Sequence, residues 1–164
     1  MIKRLAILAI GVLVPQLITE FATPTTYIRS DKLFKQILKN QPTIEANYAV
    51  RLSNAILDAS MRHRVNPHKI AAILAQECRY RLNCINKVTK DYGIGQINHK
   101  TIKAFNMDQK RLLTDLEYSV EMAVIVLADF KRMYGKREKD WFTRYNSSKP
   151  DKRKHYGELI ARFM

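Results

Sequence analysis

The sequence predicts a mainly α-helical single domain interrupted by one irregular segment. Three observations lead there. A chain of 164 residues has room for one domain with a real core, since domains run to about 100–150 residues. Apolar residues recur at helical spacing before residue 78 and again after residue 116, which is the signature of helices burying one face. From Asn83 to Asn98 that period disappears, and Asn83, Asn86, Thr89, Asp91, Gly93 and Gly95 suggest a loop or a small β-hairpin instead.

In chain order, Met1 to Arg4 is a short basic segment and Leu5 to Ile18 an apolar one, the two parts of a secretory signal. The apolar run is shorter than the ~20 residues that span a bilayer and contains Gly11 and Pro15, while Phe21 beside Ala22 spoils a small-residue cleavage site. Residues 1–22 are therefore read as a signal peptide or a signal anchor, and export is expected. Residues 23–43 read as a linker, Thr23 to Ser30 with Pro24, followed by a short helix from Asp31 to Asn40 that places Leu33, Phe34, Ile37 and Leu38 on one side.

The main domain is expected over residues 44–164. After Pro42 a helix runs to about Arg64 with Ile44, Tyr48, Leu52, Ile56 and Met61 inward. Asn66 and Pro67 are a favoured cap and first residue, so the next helix starts there and carries Ile70, Ile73, Leu74 and Glu77. Thr101 to Phe105 forms a short helix. The strongest stripe is Leu116, Val120, Ala123, Val124, Leu127, Phe130 and Tyr134, with Gly135 placed to end the helix; this is expected to be a central core helix. Trp141 to Tyr145 and Arg153 to Phe163 close the chain as two short helices around Asn146 to Pro150.

A net charge of +14 implies attraction to an anionic surface or polymer. The cations thicken near the C-terminus, through Lys131, Arg132, Lys136, Arg137, Lys139, Arg144, Lys149, Lys152, Arg153 and Lys154, either as a solvated face or as a binding surface. No helix-turn-helix signature, zinc spacing or RNA-binding aromatic motif accompanies them, and an exported chain is kept from nucleic acid. Cys78 and Cys84 bracket a helix end and form a candidate disulfide in an exported protein, or else Cys78 is a small buried residue. Two cysteines without paired histidines make a poor metal site, and nothing in the sequence calls for a metal or cofactor.

Glu77 stands out because Ile70, Ile73 and Leu74 lie seven, four and three residues before it. The carboxylate thus falls on the buried face of its helix. It also sits near the helix C-terminus, where the macrodipole disfavours negative charge. Both effects favour the protonated form and predict a raised pKa, as a general acid requires. An ion pair with Arg79, Arg81 or Lys87 at the rim of the core is the structural alternative.

The helix ending in Gln76, Glu77, Cys78, the segment Asp91, Tyr92, Gly93, Ile94, Gly95, Gln96, Ile97, Asn98, and the run Arg144, Tyr145, Asn146, Ser147, Ser148 with Arg153 and Tyr156 following resemble the soluble lytic transglycosylase family. Its three elements are a Glu-Ser pair at a helix end, Gly-Leu-Met-Gln, and Ala-Tyr-Asn-Ala-Gly. The resemblance covers roughly Ala46 to Ile160 and is nearest to the small specialised enzymes of secretion systems and phage particles. It departs in Cys78 for Ser, in Gly95 for Met and in Ser147-Ser148 for Ala-Gly. The first change is expected to loosen hydrogen bonding around Glu77, the second to remove part of the wall against which a sugar packs.

The resemblance implies a lysozyme-like domain whose irregular segment lies beside an active-site cleft. It implies cleavage of peptidoglycan glycan strands by Glu77 alone, leaving 1,6-anhydro-N-acetylmuramic acid ends, in the periplasm or at the inner membrane, for local wall opening with phage or secretion-apparatus proteins as partners. Gln96 and Asn146 offer amides for N-acetyl and hydroxyl groups, and Tyr145 a phenol near Glu77 and a face for a sugar; without the resemblance they read equally as a loop-bracing Gln, a helix-capping Asn and a core Tyr. Tyr92, Gly93, Ile94 and Gly95 complete the expected binding segment, the glycines by letting the backbone approach the glycan or turn tightly. Asp91 is a candidate second carboxylate, which would position water and make the enzyme a hydrolase; a surface loop aspartate is the more ordinary reading. A wall-binding protein that has lost its chemistry is the remaining alternative, motivated by the departures at Cys78 and Gly95.

Overall fold

The computed structural model describes residues 24–164; the expected signal segment lies outside them. The architecture is mainly helical with a small antiparallel sheet. Helix α1 (Pro24–Asn40) leads into α2 (Ala46–His63) and α3 (Pro67–Cys78), followed by the strands β1 (Ile85–Asn86), β2 (Asp91–Tyr92) and β3 (Ile97–Asn98). Then come α4 (His99–Ala104), α5 (Gln109–Thr114), α6 (Leu116–Tyr134), a 3-10 helix over Trp141–Tyr145 and α7 (Pro150–Ala161).

Helix α1 begins at Pro24, so the stretch that reads as a linker is helical. Proline ahead of the apolar stripe is compatible with this, because a first helical residue needs no amide hydrogen. Leu33 and Ile37 are fully buried. Gln36 and Asn40 donate to the Phe163 carbonyl at 2.8 and 2.9 Å, and the Asn40 amide also reaches the Tyr80 hydroxyl at 3.1 Å. This helix is tied into the body of the molecule at both the core and the C-terminus.

Helix α2 is capped by Glu45, whose carboxylate accepts from the amides of Asn47 and Tyr48 at 2.8 Å, and it ends on Arg64 in the left-handed region. Its inward stripe is Ala49, Leu52, Ala55, Ile56, Ala59 and Ser60. Met61, expected inward, is 62% exposed. Five residues after Ile56 it has rotated off the stripe that steps of three and four maintain, and Ala59 and Ser60 take the inner place.

Asn66 caps α3 as expected, accepting from the His68 and Lys69 amides, with Pro67 at the first turn. Every residue from Ile70 to Ala75 is buried. A helix apolar on all sides belongs in the interior, so α3 shares the centre with α6. Helix α6 packs chiefly against α2 and on the 3-10 helix. Gly135 follows it at φ −61, a right-handed conformation rather than the left-handed cap that its position suggests.

The irregular segment is a three-stranded meander in the order β1-β2-β3, with Ile85 opposite Tyr92 and Tyr92 opposite Ile97. Helix α5 has no counterpart in the sequence reading, although Asp108 caps it through the amides of Lys110 and Arg111. Helix α7 starts at Pro150 rather than Arg153. Two of the C-terminal cations are internal to the fold: Arg144 and Arg153 both pair with Glu138, at 2.5 and 2.6 Å. Arg144 also lies 3.8 Å over the Tyr134 ring.

Candidate active site

Glu77 is the penultimate residue of α3, and its side chain opens into a cleft of about 340 Å³. The cleft is lined by Glu77 from α3, by Thr89, Asp91, Gln96, Ile97 and Asn98 from the meander, by Thr101 from α4, by Val126 and Phe130 from α6, and by Tyr145 and Asn146. Glu77, Asp91, Gln96, Tyr145 and Asn146 are thus brought together from positions up to 69 residues apart.

Burial pushes the Glu77 carboxyl up from 4.5 to about 7, and the charge of Asp91 adds to that effect. A hydrogen bond from the Tyr156 hydroxyl to Oε1, at 2.5 Å, works the other way by stabilising the carboxylate. Among the described residues no arginine or lysine pairs with Glu77: Arg79 and Arg81 are exposed beyond the helix end, so the rim ion pair is not what the fold builds. Tyr156 itself is buried, and burial first, then the neighbouring Glu77, lifts its phenol well above its ordinary range. It is held as a neutral donor.

Tyr145, expected beside Glu77, directs its hydroxyl to the Gly95 carbonyl at 2.7 Å. Its phenol is also pushed well up, by burial first and then by Glu77 and Asp91. The partner of the carboxylate is therefore the tyrosine eleven residues further on. In the sequence that residue is marked only as the trailing Tyr of the third family element.

Cys78 and Cys84 form a disulfide with Cα atoms 6.4 Å apart. The carbonyl of Cys84 accepts from the Gly93 amide at 2.8 Å and from Gln96 Nε2 at 3.2 Å. The bridge thus links the helix residue next to Glu77 to the loop that carries Gln96. The Cys-for-Ser departure tightens this end of the cleft rather than loosening it.

Gln96 lines the cleft but spends its amide nitrogen on the Cys84 and Gly93 carbonyls, so it braces the loop. Both Asp91 oxygens are engaged: Oδ1 accepts from Asn98 Nδ2 at 2.7 Å, and Oδ2 accepts from Thr89. Gly93, Ile94 and Gly95 are buried and do not line the cleft. Gly93 has φ +77, and a Cβ there would lie 2.5 Å from the Leu112 carbonyl oxygen. A Cβ on Gly95 would lie 2.7 Å from the Ala123 Cβ and 2.8 Å from the Tyr145 hydroxyl. These positions need glycine for packing against α5, α6 and Tyr145, not for approach to a ligand. Ile94 is a core residue, and Tyr92 packs against the core from β2.

The sequence reading missed Thr89, Ile97, Asn98, Thr101, Val126 and Phe130 as cleft residues. Phe130 belongs to the α6 stripe and is half-buried, stacking on Tyr134 with centroids 6.4 Å apart. An apolar stripe gives no sign of which member ends at a cleft.

No curated protein matches the chain. Residues 54–158 match the family model described as the transglycosylase SLT domain. The match spans more than half of the chain and contains α3 with Glu77, the meander, and the 3-10 helix with Tyr145. The buried acid at the end of α3 and the cleft it faces lie within that span, and the chain belongs to the SLT family of peptidoglycan-acting lytic transglycosylases.

Proposed function

We propose that the protein cleaves the β-1,4 bond between N-acetylmuramic acid and N-acetylglucosamine and leaves 1,6-anhydro ends, with Glu77 as its single acid and base. The observation that carries this reading is a carboxyl in the cleft whose pKa is raised to about 7. Near neutral pH such a group has a proton to give and accepts one back readily. Glu77 donates to the glycosidic oxygen as the bond to C1 breaks. The resulting carboxylate, steadied by the Tyr156 hydroxyl, takes the proton of the muramic acid O6 hydroxyl as O6 closes onto C1. No water is consumed. One carboxylate suffices where the substrate's own N-acetyl oxygen stabilises the oxocarbenium-like state. Asn146 and the Phe130 ring, both at the cleft, supply a polar partner and an apolar face for the sugars.

A hydrolytic outcome is the second reading, because Asp91 lines the same cleft and its charge is felt at Glu77. Its oxygens already accept from Thr89 and Asn98, which leaves it poorly placed to orient water and favours the transglycosylase reaction. Export is part of the proposal, supported by the leader composition and by the Cys78–Cys84 bridge, since disulfides persist outside the cytoplasm. The Asp-Tyr-Gly-x-x-Gln-Ile-Asn segment supports local wall opening for a phage particle or secretion apparatus.

The test is mass spectrometry of fragments released from purified peptidoglycan by the wild type and by Glu77→Gln. Anhydro-muropeptides from the wild type alone are expected. Reducing-end products would establish the hydrolase instead, and no release by the wild type would leave a wall-binding protein.

A further inference from the structure

Away from the floor of the cleft, the turn between β1 and β2 presents an unusual surface. Every residue from Ile85 to Lys90 is exposed. Val88 at the tip is 92% exposed, the most of any large hydrophobic residue among those described, and Ile85 on β1 is 47% exposed. The tip is nonetheless a built turn. Asn86 Oδ1 accepts from the amides of Val88 and Thr89 at 3.1 and 3.2 Å, and Lys90 turns the chain at φ +60. Asn98 Nδ2 donates to the Thr89 carbonyl at 2.8 Å and the His99 amide to the Lys90 carbonyl at 2.9 Å. An aliphatic side chain is thus held out in water where a polar one would be free of cost.

Uncompensated charge surrounds this tip. Between Cys78 and Met107 the chain carries Arg79, Arg81, Lys87, Lys90, Lys100 and Lys103 against one acid, Asp91, whose oxygens are engaged by Thr89 and Asn98. Among the described residues none of these cations joins an ion pair. A soluble polyanion needs only the cations, and an apolar groove on a protein only the aliphatic side chains. A bilayer with anionic headgroups uses both, because its surface potential draws lysines while its interface takes in apolar side chains. We infer that the β1–β2 turn is a membrane-docking tip: Val88 and Ile85 enter the interface of an anionic bilayer, and Lys87 and Lys90 meet its phosphates. Thr89, next to Val88, lines the cleft, so docking brings the cleft mouth to the bilayer. With the activity proposed above, cleavage is directed to glycan strands lying against the membrane; the docking itself does not depend on that activity.

The test places a fluorophore at the tip of the full chain as Val88→Trp, with wild type, whose one tryptophan is the buried Trp141, as the background. Vesicles of phosphatidylglycerol mixed with phosphatidylcholine are expected to shift the added emission to the blue, and brominated acyl chains to quench it. Vesicles of phosphatidylcholine alone are expected to leave it as in water. Adding Lys87→Ser and Lys90→Asn, exposed positions of which the second keeps a residue tolerant of positive φ, is expected to raise the lipid needed for half of the quenching about thirtyfold. The leader is present in every variant and does not report at residue 88. Protein that binds the vesicles with the tip unquenched overturns the insertion and leaves the turn to a protein partner. Quenching that is equal on neutral vesicles, or unmoved by the loss of both lysines, overturns the recognition of anionic lipid.

Discussion

At the residue scale the molecule keeps one carboxyl in a place where ionisation is unfavourable. Burial dominates at Glu77 and lifts it from 4.5 to about 7, and the C-terminal end of α3 adds no compensating positive field. A folded-state pKa above the unfolded one means that stability is fully present below about 4.5 and is lost as pH rises through about 7. Glu77→Gln, a neutral near-isostere that still accepts from Tyr156, is therefore expected to be inactive yet more stable than wild type at pH 8. The gain is on the order of 2 kcal/mol and vanishes at pH 4; thermal melts at the two pH values check it. Tyr156→Phe removes the one bond that favours the carboxylate. With Glu77 as the acid, wild-type kcat/KM is expected to fall as pH rises through about 7, and that of Tyr156→Phe to fall at higher pH instead. A pH profile with an unmoved alkaline limb would remove Tyr156 from any role at Glu77.

At the scale of elements, the end of α3 and the meander work as one unit. The helix ends on Arg79 and Tyr80, both at positive φ, and the disulfide then ties Cys78 to the carbonyl that receives Gly93 and Gln96. Closing so short a loop stabilises by about 2 kcal/mol. Cys78→Ser/Cys84→Ser is expected to lower the denaturant midpoint accordingly with an unchanged m value, and to lose activity severalfold as the loop carrying Gln96 and Asp91 loosens. Wild type in strong reductant should behave the same way. Capping and periodicity made α2, α3 and α6 legible, because Asn66-Pro67 and the apolar stripes act locally. The meander was legible only as the absence of a helical period, since two-residue strands have no alternation to read. Of the two roles open to the glycines, the tight turn fits Gly93 with its φ of +77, while the close approach at both positions is to Leu112, Ser119, Ala123 and Tyr145, neighbours that only the folded chain supplies. Glu77 was readable from its own helix, whereas Tyr156 is 79 residues away and nothing local points it at a carboxylate.

At the scale of the whole molecule, α1 changes what counts as the domain. The family match begins at residue 54, inside α2, and the sequence assigns residues 23–43 to a linker and a short helix, because the polar face of that helix carries no hint of a partner. In the fold α1 packs on both α2 and α3. Gln36 bridges the His68 and Phe163 carbonyls, so the first described helix, the start of the acid's helix and the C-terminus share one side chain. Removing residues 1–43 uncovers the sites of Leu33 and Ile37, both 0% exposed, at a cost of about 1.5–3 kcal/mol for each side chain. It also leaves the Phe163 carbonyl and the Tyr80 hydroxyl without their Asn40 partner. Against a typical domain stability of about 5–15 kcal/mol that loss is large. A chain starting at Ile44 is expected to melt at least 10 °C lower than one starting at Pro24 and to lose cleavage at temperatures where the longer chain still works. Equal melting temperatures would show instead that α1 rests on the domain without supporting it, and that α2 and α7 suffice to hold the helix carrying Glu77.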